Sequence, residues 1–315
     1  MASIASHAAQ AGTMQIEPVP HALGAFISGI DVREITDAQI GAIHRAWLEH
    51  LVIVVRGQTL GDADLTAFSA RFGVLDEIPP IGKGQKPRDN PNVSVISNLI
   101  ENGVPIGGLG DDEVIWHSDT SYRDFPPSAS VLHAIEVPAS GGNTSFSNMY
   151  LALETLPAAM RARIDPLSVK NDTTYNAGGQ LREGYSPVTD VRVCPGATHP
   201  LVRTHPETQR NALYLGRRRN AYILGLPVDE SEALLDSLWA HATQEFLAWH
   251  HQWRVGDVVI WDNRCTMHHR DPFAATARRI MHRAQARDGL RPARDRRAPD
   301  TPHPRGQRYL ASRSA

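Results

Sequence analysis

The chain has 315 residues, of which 41% are apolar and 21% charged, with a net charge near −2 and a pI near 6.7. This is the composition of a soluble globular protein that can bury one large core or two modest ones. A nearly neutral chain lacks the positive field that holds a polyanion, so we expect no nucleic acid partner. Its two cysteines are too few for a disulfide framework or a thiolate zinc site.

The two ends of the chain differ in composition from its middle. Residues 1–15 are small and polar without a secretory signal, and residues 291–315 are rich in proline and arginine with almost no core formers. We therefore expect a flexible leader at 1–15, one folded domain at 16–290 and a basic, disordered tail at 291–315. The longest aliphatic run, LVIVV at 51–55, is too short to span a bilayer, so we expect a cytoplasmic protein without a membrane partner.

The domain opens with two helical patterns and a buried strand. DAQIGAIHRAWLEH at 37–50 is amphipathic with Asp37 near its N-cap, and it runs into the strand LVIVVRG at 51–57. DADLTAFSARFG at 62–73 predicts a second helix, closed by Gly73.

The remainder of the domain is a series of short β-like runs bounded by Gly, Pro and Asn. The runs are NVSVISN, ASVLHAIEV, NTSFSNM, PLVRTH, NALYLG, DVVIWDN and RRIMHRAQA. Helical patterns at 149–164 and 228–246 interrupt them. Many short strands with turn residues between them predict a mainly β protein with covering helices, arranged as a sandwich or barrel.

The segment WHSDTSY at 116–122 places a histidine and an aspartate two residues apart. With 15 histidines and 34 acids in the chain, roughly 1.6 such pairs arise by composition, and three occur. On a strand, residues two apart project from the same face, so His117 and Asp119 can contact one ion. A nitrogen and a carboxylate oxygen suit Fe(II), Mn(II) or Zn(II), provided that a third ligand comes from elsewhere.

The best source of that third ligand is WDNRCTMHHRDPF at 261–273, which follows an apolar strand. Adjacent residues of a strand point to opposite faces, so only one of His268 and His269 should reach the site. Their spacing does not choose between them.

Two arginines follow in RRIMHRAQA, and their neighbours are mostly apolar. Arg279 and Arg283 are four residues apart and share a strand face. Such a pair is often a pair of surface charges, but arginines that project into a barrel need an anion, because an unpaired buried charge costs several kcal/mol.

Taken together and in this order, the motifs make the chain resemble the TauD/TfdA family of Fe(II)- and 2-oxoglutarate-dependent dioxygenases over residues 16–290. The motifs are GIDVRE, RFG, WHSDTSY, VPASGGNTSF, HPLVRTHPETQRNALY and WDNRCTMHHRDP followed by RRIMHRA. The resemblance implies a double-stranded β-helix core, that is, a cupin-like jelly roll. It also implies an enzyme with Fe(II), 2-oxoglutarate and O2 as cofactor and co-substrates. Separately, we expect a homo-oligomer.

The resemblance also implies roles for individual residues. His117, Asp119 and His268 would hold the metal, because His268 is the eighth residue of the family's WDNRxxxH pattern. Thr144 of the GGNT turn and Arg279 would bind the far carboxylate of 2-oxoglutarate. Arg283, four residues further, would meet the acidic group of a small anionic organic substrate.

Three more residues are expected at the rim of the substrate pocket, namely Tyr122, Asn98 and Arg219. YLGRRRNAYI lacks the aromatic residue that the taurine enzyme carries near the position of Arg219, and no histidine follows the RFG helix in FGVLDEIPPIGKG. We therefore expect a carboxylate such as an aryloxyalkanoate. A taurine-like sulfonate remains an alternative, as does a non-catalytic or zinc-binding barrel with the same three ligands.

Overall fold

The computed structural model describes residues 13–77, 88–112, 114–216 and 219–314. Within these residues the chain forms six α-helices, four short 3-10 helices and twenty strands. The helices are α1 Asp37–His50, α2 Asp62–Ser69, α3 Met149–Glu154, α4 Ala158–Ile164, α5 Val228–Ala242 and α6 Pro304–Ser314. The strands are β1 Gln15–Pro18, β2 Ala25–Ser28, β3 Val52–Val55, β4 Val74–Leu75, β5 Ser94–Ser97, β6 Ile100–Glu101, β7 Val104–Pro105, β8 Gly108–Leu109, β9 Val114–His117, β10 Ala129–Glu136, β11 Thr144–Asn148, β12 Ser168–Lys170, β13 Thr198–Pro200, β14 Val202–Thr204, β15 Asn211–Leu213, β16 Tyr222–Ile223, β17 Ala248–His251, β18 Val258–Asp262, β19 Thr266–Arg270 and β20 Ile280–Arg287.

Two sheets build the core of the domain. The larger has the order β1-β2-β3-β18-β10-β20-β5-β8, with β4 added beside β20, and the smaller has the order β17-β11-β19-β9. Neighbours in the smaller sheet are all antiparallel, as are most neighbours in the larger one. Strands that are close in the sheets are far apart in sequence, as expected for a jelly roll.

The larger sheet is buried on both faces, and its side chains alternate between two apolar clusters. On β10, Leu132 packs in the cluster that also contains Phe146 of the smaller sheet, so this cluster fills the space between the sheets. Val131, one residue earlier, packs on the other face with Trp47 and Phe68 of the covering helices. The alternation explains why the strands are almost continuously apolar. The expected mainly β fold with a jelly-roll core is confirmed.

The first helix spans the same residues, 37–50, as its sequence pattern predicted, and Asp37 directly follows its N-cap. The N-cap of α1 is Thr36, whose hydroxyl accepts from the Gln39 backbone N–H at 3.2 Å while the Gln39 side chain accepts from the Thr36 backbone N–H at 2.9 Å. This reciprocal pair satisfies two N–H groups that lack helical partners.

The helix expected over 149–164 is divided into α3 and α4. Pro157 lies between them and is the N-cap of α4. Proline has no N–H to donate and disfavours helical geometry in the residue before it, so the chain turns at this point.

The chain after residue 290 differs from the disordered tail expected there. Helix α6 covers Pro304–Ser314, and His303 just before it is buried, with its ring stacked on Tyr150 at 4.7 Å. Tyr309 and Leu310 pack on the core cluster between the sheets. Few apolar residues are enough to dock α6, because the rest of the domain supplies the apolar surface on which they pack.

The expected leader is described only in part. Residues 1–12 lie outside the described residues, and β1 begins at Gln15. None of the helices in the described residues has the length and apolar character needed to cross a membrane.

Candidate active site

Pairing between β9 and β19 brings two histidines together. His117 is the last residue of β9 and lies directly opposite His268 in the antiparallel register. Their ring centroids are 4.1 Å apart, and both side chains are buried. His269 projects the other way and stacks on Trp116 at 5.4 Å. The sequence spacing did not choose between His268 and His269. The strand register does, because His268 reaches His117 and His269 points to the other face of the strand.

Asp119 joins the histidines through a turn, which corrects the sequence argument that placed it on a strand. The strand ends at His117, and Thr120 has a positive φ of 44°. The backbone of Asp119 is held by Asn263 of the WDNR segment, whose Oδ1 accepts from the Asp119 N–H at 2.7 Å and whose Nδ2 donates to the Asp119 carbonyl at 3.0 Å. These hydrogen bonds join the segment that carries Asp119 to the WDNR segment, which leads into the strand of His268.

The three side chains have the geometry of a metal site. Nε2 of His117 and Nε2 of His268 lie 3.7 Å and 3.9 Å from Oδ1 of Asp119, and the ligand atoms lie within 4.8 Å of one another. These separations are too long for hydrogen bonds and leave room for an ion between them. Nδ1 of His117 donates to the Ile115 carbonyl at 2.7 Å, which leaves its Nε2 lone pair for a metal. Two imidazoles and a carboxylate suit Fe(II).

A second group of potential metal ligands consists of His205, Asp262 and Cys265, but their lone pairs are not available to an ion. Nε2 of His205 donates directly to Asp262 at 3.0 Å, and its Nδ1 accepts from two backbone N–H groups. Arg264 donates to both Asp262 oxygens, at 2.9 Å and 2.8 Å. Burial raises the pKa of the adjacent Cys265 thiol well above its usual value, which disfavours a thiolate ligand. The lone pairs are already used, so we assign this cluster to the scaffold.

The environment fixes the protonation of the candidate ligands. Burial and the nearby His117 lower the pKa of His268 to about 3, so its imidazole is neutral at neutral pH. Burial opposes the ionisation of Asp119, but the positive charge of Arg283 and the interactions with His268 and His117 outweigh it, and its pKa is lowered. One neutral imidazole and a carboxylate are the forms that bind a cation.

Arg279 is a buried cation that no described acid neutralises. It is 2% exposed, its Nε has no hydrogen-bond partner, and no ion pair joins it to a carboxylate of the described residues. Burial and the positive charge of Arg270 lower its pKa to about 9. Because an unpaired buried charge is costly, the site is built to receive an anion.

The GGNT turn packs directly against Arg279. Gly142 has a φ of +65°, and a Cβ added there would lie 3.4 Å from Cδ of Arg279 and 3.0 Å from Cγ of Pro138. A side chain would therefore crowd the guanidinium stem, and the positive φ would strain it. Thr144 follows at the start of β11, buried, and its hydroxyl accepts from Nε1 of Trp253 at 2.9 Å, which leaves the hydroxyl hydrogen to donate.

Asn98 has a different position from the one expected for a substrate contact. Its Nδ2 donates to the Ala275 and Ala277 carbonyls, and its Oδ1 accepts from the backbone N–H of Arg279 at 3.2 Å. These bonds use both amide hydrogens and one of the two lone pairs of Oδ1. Asn98 therefore fixes the segment that leads into Arg279, and its role in substrate binding stays a prediction.

Arg270 is a site residue that the sequence argument did not identify. It lies opposite Thr144 in the register of β11 and β19, and it is two residues after His268 on the same strand face. Its guanidinium donates to the carbonyls of Leu109, Gly110 and Asp112, and so it holds the loop that leads into β9. The spacing of two from His268 was the signal that could have found it.

Two of the expected rim residues take part in cation–π contacts. The guanidinium of Arg182 lies 4.5 Å from the centroid of the Tyr122 ring. Arg219 lies 3.9 Å from the centroid of the Tyr175 ring and donates to the Gly179 carbonyl at 2.8 Å. Arg219 thus anchors the turn at 174–182, which lies beside β9. Its role in substrate binding stays a prediction, as does that of Tyr122.

Arg283 lies closer to the metal ligands than its expected role required. Its Nη1 is 3.2 Å from Oδ1 of Asp119, and its side chain is largely buried. An anion held by Arg283 would therefore lie beside the metal ligands.

The comparison with protein families matches residues 15–285 to the family described as taurine catabolism dioxygenase TauD, TfdA family. The chain belongs to the TauD/TfdA family. Members similar to it include the (S)-phenoxypropionate/alpha-ketoglutarate-dioxygenase of Delftia acidovorans, which is 33% identical over 85% of this chain and 93% of that protein. The alpha-ketoglutarate-dependent 2,4-dichlorophenoxyacetate dioxygenase of Cupriavidus pinatubonensis is 31% identical over 86% of this chain and 96% of that protein.

A solved family structure, that of AAD-2 in complex with Mn(II) and N-oxalylglycine, is 30% identical. The similarity covers 90% of this chain and 100% of AAD-2, with a TM-score of 0.71. Family membership confirms the expected reaction class: the chain is an α-ketoglutarate-dependent dioxygenase, an oxidoreductase. The cofactor and co-substrates of the class are Fe(II), α-ketoglutarate (2-oxoglutarate) and O2, and the His-Asp-His group fits this cofactor.

Proposed function

We propose that this protein hydroxylates a small organic carboxylate, preferably an aryloxyalkanoate, with release of succinate and CO2. One oxygen atom of O2 enters the substrate C–H bond as a hydroxyl and the other enters succinate, while 2-oxoglutarate loses CO2. The observation that carries the proposal is the buried His117, Asp119 and His268 group together with the buried Arg279, which pairs with no acid of the described residues.

In this proposal His117, Asp119 and His268 hold Fe(II), which supplies the oxidising chemistry that couples loss of CO2 to attack on a C–H bond. Arg279 binds the far carboxylate of 2-oxoglutarate with two parallel hydrogen bonds, and Thr144 donates to the same group. The burial of both residues supports this role, because a charged hydrogen bond is stronger away from water.

Arg283 binds the carboxylate of the prime substrate. It shares a strand face with Arg279 and reaches Asp119, so the substrate that it holds lies next to the iron ligands. A planar guanidinium matches a carboxylate better than a lysine would. The names of the two relatives, which act on phenoxypropionate and 2,4-dichlorophenoxyacetate, support an aryloxyalkanoate.

The metal and co-substrate part of the proposal is tested by anaerobic titration with Fe(II) and 2-oxoglutarate. We expect the weak visible charge-transfer band of a chelated α-keto acid in the wild type and its loss in His117→Ala. His269→Ala is the matched control, because His269 neighbours His268 but faces away from the site, and it should keep the band. A wild type without the band, or a band that survives His117→Ala, would favour the zinc-binding or non-catalytic barrel.

The substrate part is tested by succinate release with a panel of phenoxypropionates, phenoxyacetates and alkyl sulfonates, after subtraction of turnover without prime substrate. We expect the phenoxyalkanoates to give the highest rates. Faster turnover of the sulfonates would replace the carboxylate in the proposal with a taurine-like substrate.

Two further expectations remain proposals. We infer a cytoplasmic location, which the free, buried cysteines Cys194 and Cys265 support, and a homo-oligomeric state.

A further inference from the structure

Behind Asp119, a polar pair lies on the face of the larger sheet that is turned toward the smaller sheet. Ser130 of β10 and Gln285 of β20 are direct partners in the antiparallel register. Both face the space between the sheets, because β20 residues 281, 283 and 285 alternate with Ala284 and Ala286, which pack on the helix side. Ser130 is 0% and Gln285 3% exposed, so each polar atom must find its partner within the protein.

The two side chains form a hydrogen-bond chain that ends at Asp119. Nε2 of Gln285 donates to Oγ of Ser130 at 3.0 Å, and Oγ of Ser130 donates to Oδ2 of Asp119 at 2.7 Å. The direction is fixed, because an amide N–H can only donate and a carboxylate can only accept. The single hydroxyl hydrogen of Ser130 is therefore committed to Asp119.

This chain distinguishes the two oxygens of the carboxylate. Oδ2 accepts from Ser130, whereas Oδ1 accepts from Nη1 of Arg283 at 3.2 Å and lies 3.7 Å and 3.9 Å from Nε2 of His117 and of His268. Without Ser130, the carboxylate would keep only the bond from Arg283 to Oδ1, beside the backbone bonds to Asn263, and Oδ2 would have no partner among the described residues.

We propose that Ser130 and Gln285 are positioning residues for the metal site, which hold the Asp119 carboxylate so that Oδ1 faces the two imidazoles. The inference rests on the proposed role of His117, Asp119 and His268. Neither residue touches the metal or a substrate. Their contribution is to fix one ligand before the ion arrives, so that less torsional freedom is lost on binding.

The test compares Ser130→Ala with Ser128→Ala. Ser128 is the matched control: it is 1% exposed, immediately precedes β10 and donates to the Ala286 carbonyl at 3.1 Å, but it does not touch Asp119. Metal affinity is measured anaerobically on the full chain by equilibrium dialysis with Fe(II) alone. We expect Ser130→Ala to weaken Fe(II) binding by about 10-fold or more, as loss of an outer partner of a ligand typically does, while Ser128→Ala stays within about 2-fold of the wild type.

A second readout separates positioning from ligation. At saturating Fe(II) and 2-oxoglutarate, Ser130→Ala should recover the charge-transfer band, because all three ligands remain, whereas His117→Ala should not. Gln285→Met keeps the side-chain length without the donor and should weaken Fe(II) binding less than Ser130→Ala. This variant also decides the question if Ser130→Ala does not fold, since unchanged affinity in Gln285→Met would then overturn the proposal.

Equal affinity in Ser130→Ala and the wild type, or an equal loss in Ser128→Ala, would also overturn it. A wild type that binds no Fe(II) would instead refute the proposed function, so the two failures are distinct.

Discussion

Arg264 and Arg279 are both buried, but within the described part of the chain only Arg264 has acidic partners. Arg264 contacts Asp262 at 2.8 Å and Glu207 at 2.7 Å, and these carboxylates outweigh the effect of burial and raise its pKa. Arg279 has no such partner among the described residues, and burial lowers its pKa to about 9. The first arginine belongs to the scaffold. The second, in our proposal, is neutralised by the carboxylate of 2-oxoglutarate.

Replacing Arg279 by alanine should therefore raise the 2-oxoglutarate concentration needed for half-maximal succinate release. Removal of one partner of a buried charged pair costs about 2–5 kcal/mol, or roughly 30-fold and more in affinity. Arg278→Ala is the control, because Arg278 is exposed and pairs with Glu136 on the outside. If both variants need the same co-substrate concentration as the wild type, another residue binds the far carboxylate.

Most of the site residues lie on strands, but two parts of the site do not follow from strand geometry. His268 and Arg270 follow the two-residue repeat of a strand. The GGNT turn needs the positive φ values of its two glycines, and Asp119 is held before a turn by hydrogen bonds to Asn263, which is far away in the sequence. The C-terminal helix α6 is a similar case, because its sequence has few core formers and its docking depends on a surface made by α1 and α3. Nε2 of His303 donates to the Leu48 carbonyl at 3.2 Å, and its backbone N–H donates to Glu154 at 2.6 Å.

The docking of α6 can be tested by His303→Ala. Loss of a buried, hydrogen-bonded ring should cost roughly 1–3 kcal/mol and lower Tm by several degrees, at about 2–4 °C per kcal/mol for a domain of this size. Arg313→Ala on the same helix is the control, since Arg313 is exposed and contacts only Tyr309 of α6. Thermal unfolding monitored by circular dichroism would decide it. An unchanged Tm in His303→Ala would indicate that α6 is not docked on the domain, and it would favour the disordered tail that the sequence predicted.

For the whole molecule, buried histidines couple stability to pH. Burial lowers the pKa of His50, His199 and His303 from 6.5 to about 4. Below pH 6.5 the unfolded chain takes up protons at these positions and the folded chain does not, so stability falls as the pH drops from about 6.5 to 4. Glu207 acts in the same direction at lower pH, since its bond to His44 lowers its pKa to about 2 despite burial.

We expect the metal-free protein to lose stability between pH 7 and pH 5, on the order of 1 kcal/mol for each of the three histidines after allowance for solvent screening. Urea unfolding in the presence of EDTA at several pH values measures this. Replacing His199 by glutamine should reduce the pH dependence by about one histidine's share. Stability that is constant over this range would mean that these rings protonate equally well in the folded protein.

The sequence by itself determined the mainly β fold, the family and the ligand candidates His117 and Asp119 through the order and spacing of its motifs, because strand alternation and motif spacing are local properties of a chain. It could not choose between His268 and His269 without the family pattern, and it did not indicate the backbone contacts of Asn98 or the helix near the C-terminus. Those questions depend on contacts between residues far apart in sequence. Only the tertiary structure decided which histidine faces His117, which carboxylate oxygen is left for an ion, and which buried arginine has no acidic partner among the described residues.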